Sequence, residues 1–122
     1  MDEQDVRVRA EALCAALVGG DVDKVIADFS EELHHNLGEV LALLLLPSSE
    51  ATIESIDHGA GSGFVVVLRL RGPAEEVQIQ TRWKDRDDRP TVIELSHLSR
   101  TELTAQAVDE GEATDGEAAE SN

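Results

Sequence analysis

Apolar residues near the start of the chain recur at steps of three and four. Val6, Ala10, Leu13, Cys14 and Leu17 share one helical face, which predicts a helix over residues 6–18. Gly19-Gly20 ends it, since glycine readily takes the left-handed cap conformation. Asp21 is placed to cap a second helix, from Val22 to about Phe29, with Val22, Val25, Ile26 and Phe29 as its buried stripe. Ser30 opens a third helical run whose apolar positions are Leu33, Leu37, Val40, Leu41, Leu44 and Leu45, and Pro47 marks its stop. Gly38 lies inside that run, where a glycine either divides a helix or admits another backbone.

From Ala51 the period changes to two. Strands are predicted over residues 52–58, 63–71, 76–84 and 91–98, separated by Gly59-Ala60-Gly61-Ser62, Gly72-Pro73-Ala74 and the charged stretch from Asp85 to Pro90. Such short connections favour an antiparallel meander. Phe64, Val66, Leu68 and Leu70 occupy one phase of the second strand and Val65, Val67, Arg69 and Arg71 the other. In the third, Val77, Ile79, Thr81 and Trp83 alternate with Gln78, Gln80, Arg82 and Lys84. The expected fold is therefore α+β, with three N-terminal helices covering one face of a four-stranded antiparallel sheet as a two-layer domain over residues 1–104. Residues 105–122, rich in Gly, Ala, Glu and Asp, are expected to form a disordered acidic tail.

Charge narrows the partners. The net charge is −16, and the tail supplies six acids and no base. Residues 1–50 hold eleven acids against three bases, whereas 51–104 hold nine against seven. No basic surface of the kind that neutralises phosphates is in view, so no nucleic-acid partner is expected. The acidic start Met1-Asp2-Glu3-Gln4-Asp5 is unlike a secretory signal, and the longest apolar run, Val40 to Leu46, is too short to span a bilayer. With Cys14 as the one cysteine, neither a disulfide framework nor thiol zinc-site spacing is present. These features predict a cytoplasmic protein with no membrane partner, no metal and no cofactor.

The titratable residues offer little chemistry by spacing. Asp28 precedes Phe29 at a helix end, a capping or solvated position. His34 and His35 are about 100° apart on a helix and cannot face one metal, while Glu31 and His35 lack a further ligand. His58 adjoins the glycine-rich turn Gly59–Gly63, which lacks the lysine and the following helix of a phosphate-binding loop. Pairing Trp83 with Ile93 in the last hairpin sets Arg82 across from Glu94, buries Ile93 and Leu95 and sends His97 to the helix-covered face, whereas a shift of one residue would turn Glu94 and Ser96 inward and His97 out. In the first pairing His97 is expected to hold a backbone carbonyl, since no nucleophile or second base accompanies it.

The segment Ala12-Leu13-Cys14-Ala15-Ala16-Leu17-Val18-Gly19-Gly20-Asp21-Val22 followed by a short helix, and the later Phe64–Leu70 and Arg82-Trp83-Lys84-Asp85 strands with Thr91–Leu95, resemble the nuclear-transport-factor-2-like (cystatin-like, SnoaL-like) superfamily over residues 5–99. The resemblance implies a cone-shaped α+β domain. The continuous helix read from Ser30 to Leu46, where members have a short strand, implies a shallower cone. A pocket of the implied kind, for a small apolar ligand, is expected to be lined by Trp83, His97, Phe29 and Phe64. Related cones often pair through the open sheet face, which implies a homodimer interface of Val65, Val67, Arg69, Gln80, Arg82 and Glu94, with Val92 and Leu98 on the same face. The chain has no tyrosine and only 2% aromatic residues, so stacking and oxyanion groups are scarce. That favours a non-enzymatic small-ligand-binding or protein-association module over an isomerase or dehydratase using His97 and an acid. A regulatory protein that binds partners through its acidic surface is the third reading.

Overall fold

The computed structural model describes residues 1–103; the tail expected at 105–122 lies outside them. Helix α1 (Glu3–Gly19) begins with a reciprocal cap, in which the Asp2 carboxylate accepts from the Asp5 N–H at 2.9 Å and the Asp5 carboxylate accepts from the Asp2 N–H at 3.1 Å. It ends where Gly20 turns left-handed at φ 69°. Asp21 caps α2 (Val22–Ile26), as its position predicts. Val25 is buried there, but Val22 is 39% exposed and stands outside the core.

The run expected as one helix from Ser30 to Leu46 is divided into α3 (Glu31–His35) and α4 (Leu37–Ala42). The break falls at Asn36 (φ −121°, ψ 35°) rather than at Gly38. Asn36 uses its own Nδ2 to donate to the Glu32 carbonyl at 3.4 Å, while its backbone N–H turns to Leu33 at 3.1 Å. The side chain thus takes over the acceptor that the helix ladder would use, the competition that keeps asparagine out of helix interiors. After Ala42 the leucines run through turns until Ser48, whose N–H donates to the Leu17 carbonyl and returns the chain to α1.

Strands β1 (Glu50–His58), β2 (Phe64–Arg71), β3 (Glu75–Arg86) and β4 (Arg89–Glu102) form one antiparallel sheet in the order β1-β2-β3-β4. Between β3 and β4, Asp87 and Asp88 both take positive φ, 55° and 64°, the two-residue turn whose twist matches a hairpin. Arg82 lies opposite Glu94, but the register slips immediately beyond, so Trp83 pairs with Val92 and not with Ile93. Val92 is fully buried and Ile93 half-buried, which removes Val92 from the outer face assigned to it by the alternation. The cause is tertiary. Val92 donates to the Asp28 carbonyl at 2.7 Å and accepts from the Ser30 N–H at 2.8 Å, bridging β4 to the segment between α2 and α3.

The helices cover one face of the sheet. Val6, Ala10, Leu13 and Leu17 of α1 pack with Val66, Leu68 and Leu70 of β2 and with Val77, Ile79 and Trp83 of β3 in one apolar cluster. Each fully buried side chain of this kind contributes roughly 1.5–3 kcal/mol by leaving water. Among the described residues no helix lies on the opposite face of the sheet.

Candidate functional site

The inner face brings three of the four expected ligand-lining residues into the core and closes over them. Trp83 is 1% exposed; its indole Nε1 donates to Thr81 Oγ1 at 2.8 Å, and Thr81 Oγ1 donates to the Val66 carbonyl at 2.9 Å. The polar end of the tryptophan is thereby satisfied from within. Phe64 pairs opposite Trp83, and its ring lies 4.9 Å from that of His58. Phe29 is buried, with His34 edge-on at 6.5 Å. His97 stands apart: it pairs with Ile79, four residues along β3 from Trp83 and so about 13 Å away at the rise of a strand. It is exposed, and its Nε2 lies 2.7 Å from the Leu43 carbonyl, the carbonyl-holding role expected of it without the burial. The cleft beside it measures only about 110 Å³.

His34 and Asp28 also have structural partners. His34 Nε2 lies 3.0 Å from the Ile26 carbonyl. Asp28 accepts from Arg9 at 3.2 Å and from Arg89 at 3.3 Å, tying α1, the end of α2 and the β3–β4 turn together. Among the described residues no group of three or more His, Cys, Asp or Glu is gathered as metal ligands.

The outer face is laid out as a grid. Val65 and Val67 of β2 are half-exposed at its middle, beside Gln80 and Ser96 in the same cross-strand row. Around them charged side chains pair within the protomer: Arg82 with Glu94 at 2.8 Å, Arg71 with Glu76 at 3.1 Å, and Arg69 with Glu54. Glu54 also accepts from Gln78, whose Oε1 accepts from Ser99 Oγ at 3.0 Å, so one hydrogen-bonded chain crosses all four strands. The Arg69 guanidinium, then Gln78, holds the Glu54 carboxyl below the ordinary carboxylate range. Short of the β3–β4 turn, where Arg86 and Arg89 pair with Glu32 and Asp28, this face holds five carboxylates (Glu50, Glu54, Asp57, Glu76, Glu94) and four cations (Arg69, Arg71, Arg82, Lys84). Residues 1–103 together hold twenty acids and ten bases, so the outer face is close to neutral on a strongly acidic body.

One feature has no counterpart among the sequence expectations. Between α1 and β1 runs a groove of about 620 Å³, walled by Cys14, Ala15 and Val18 on the helix and by Ala51, Thr52 and Ile53 on the strand, with Arg7 and Glu11 at one end. Its signal is present in the sequence: Ala12 to Gly20 is nine residues without a charge in a chain that is 30% charged. A helix with apolar residues beyond its buried stripe has a second surface to cover. Burial, and next the nearby charge of Glu11, pushes the Cys14 thiol up to about 11, so it remains a neutral, apolar part of the wall. Among the described residues no helix is long and apolar enough to cross a membrane. No family model, no curated protein and no solved structure matches this chain, so its surfaces alone carry the functional reading.

Proposed function

We propose that the protein is a non-enzymatic association module, a shallow cone of the nuclear-transport-factor-2-like type, that works as a homodimer through the outer face of its sheet. The observation that carries this reading is the near-neutral outer face, with half-exposed Val65 and Val67 at its centre, on an otherwise acidic molecule. Two bodies of like charge approach with least repulsion through the faces that carry least net charge. The ion pairs around the valines are made within each protomer, so their side chains are already held in place and lose less freedom on association. Four strands at about 4.8 Å spacing and about eight residues of each make a face of about 500 Å² in projection, comparable with the ~800 Å² of accessible surface a standard interface takes from each partner. An apolar centre within a polar rim is the usual anatomy of such a surface.

The small-ligand reading has less support, because Trp83, Phe64 and Phe29 are each buried in the apolar core and the polar groups of Trp83 and Thr81 are used internally. Light scattering tests the dimer. The unmodified protein is expected to show twice the chain mass at micromolar concentration, and Val67→Asp, which buries a charge at the centre of the interface, is expected to run as a folded monomer. An unmodified protein that is monomeric throughout that range refutes the proposal.

A further inference from the structure

We propose that the groove between α1 and β1 receives an extended segment of another protein, added as a fifth strand on the free edge of β1, with small apolar side chains turned toward α1 and basic side chains at the rim. Among the described residues β1 pairs only with β2, so its other edge presents unpaired N–H and C=O groups, the template that strand addition uses. The helical wall is apolar where that strand would lie: Ala15 is exposed and Val18 is 45% exposed. From Arg7 to Val18 the helix rises about 16 Å, room for about five extended residues.

Charge selects the occupant. Glu11 at the groove end has no ion pair among the described residues, while Arg7 beside it is already held by Glu3 at 3.6 Å. The rim therefore favours a lysine or arginine. The chain's own residues 105–122 hold six acids and no base, and β1 of a second copy (Glu50–His58) holds three acids and no Lys or Arg to meet Glu11. Both are repelled, which leaves a foreign segment in which small apolar and basic residues alternate.

Hydrogen–deuterium exchange on the full chain, with an alternating Lys-Val peptide as probe and an alternating Glu-Val peptide for contrast, tests this. The Lys-Val peptide is expected to slow exchange of amides in β1, and the Glu-Val peptide to leave them unchanged. Filling the groove by Ala15→Phe should weaken binding at least about tenfold, and Glu11→Gln about threefold, as for loss of one exposed ion pair. Val18→Trp serves the same purpose as Ala15→Phe should that variant lose its helical circular dichroism. Val67→Asp should bind the peptide normally, which separates this site from the dimer face. A peptide that binds without protecting β1, or equally well to folded groove-filled variants, is adhering to the acidic surface at large and overturns the proposal.

Discussion

The two faces of the sheet are built by the same strands and meet opposite fates. Along β2, Phe64, Val66, Leu68 and Leu70 are buried, while Val65 and Val67 between them stay half-exposed and Arg69 and Arg71 are exposed. On the inner side the few polar groups are consumed internally, Trp83 by Thr81 and Thr81 by Val66. On the outer side three arginines are paired laterally with carboxylates, and the apolar atoms between them lack a cover. A buried polar group left unpaired is costly, so the packed face satisfies its own. The difference teaches where recognition belongs in this molecule: on the face and groove outside the core.

That contrast can be broken most forcefully at Trp83. Trp83→Ala should cost ~3–5 kcal/mol, the range for deleting a large packed side chain, read from urea unfolding midpoints. A change well below that would mean the inner face collapses around the vacancy or was never tightly filled, and a ligand pocket would regain support. Thr81→Val keeps the shape but strands the indole N–H, and should cost about 1–3 kcal/mol. A neutral result would show that water already reaches the indole.

The outer face should respond weakly, and through acid. Arg69 and Gln78 keep the folded-state carboxyl of Glu54 below its ordinary 4.5, so its contribution is fully present above that value and is lost as pH falls through the lower folded value. Arg69→Gln should therefore lower stability slightly at neutral pH and flatten the loss below pH 4.5. An acid limb unchanged by the substitution would show that the pair is not formed in solution.

The strand half was the more legible in the sequence because alternation reports one variable, the face. The phases of β2 and β3, and Arg82 opposite Glu94, follow from it directly. What alternation cannot report is an inserted residue. The slip that draws Val92 into the core depends on its bridge to Asp28 and Ser30, more than sixty residues earlier in the chain. The helical half misled where apolar spacing persisted through Asn36, because that spacing does not register a side chain diverting a backbone acceptor. Of the residues expected to line a pocket, Trp83, Phe64 and Phe29 are buried in the core, whereas His97 lies a long way along the strand from them. The α1–β1 groove went unread because Ala15 and Val18 look like ordinary helix formers until β1 is placed beside them.

The most direct test compares neighbours on one strand. Methyl relaxation by a soluble paramagnetic probe, recorded for Val65, Val66 and Val67 in concentrated and dilute protein, reads both faces at once. The buried Val66 should be insensitive to the probe at every concentration, while Val65 and Val67 should be shielded when concentrated and exposed on dilution, as a dimer through the outer face requires. Val65 and Val67 that stay open to the probe in the concentrated protein, or a Val66 that responds as strongly as they do, would contradict the account.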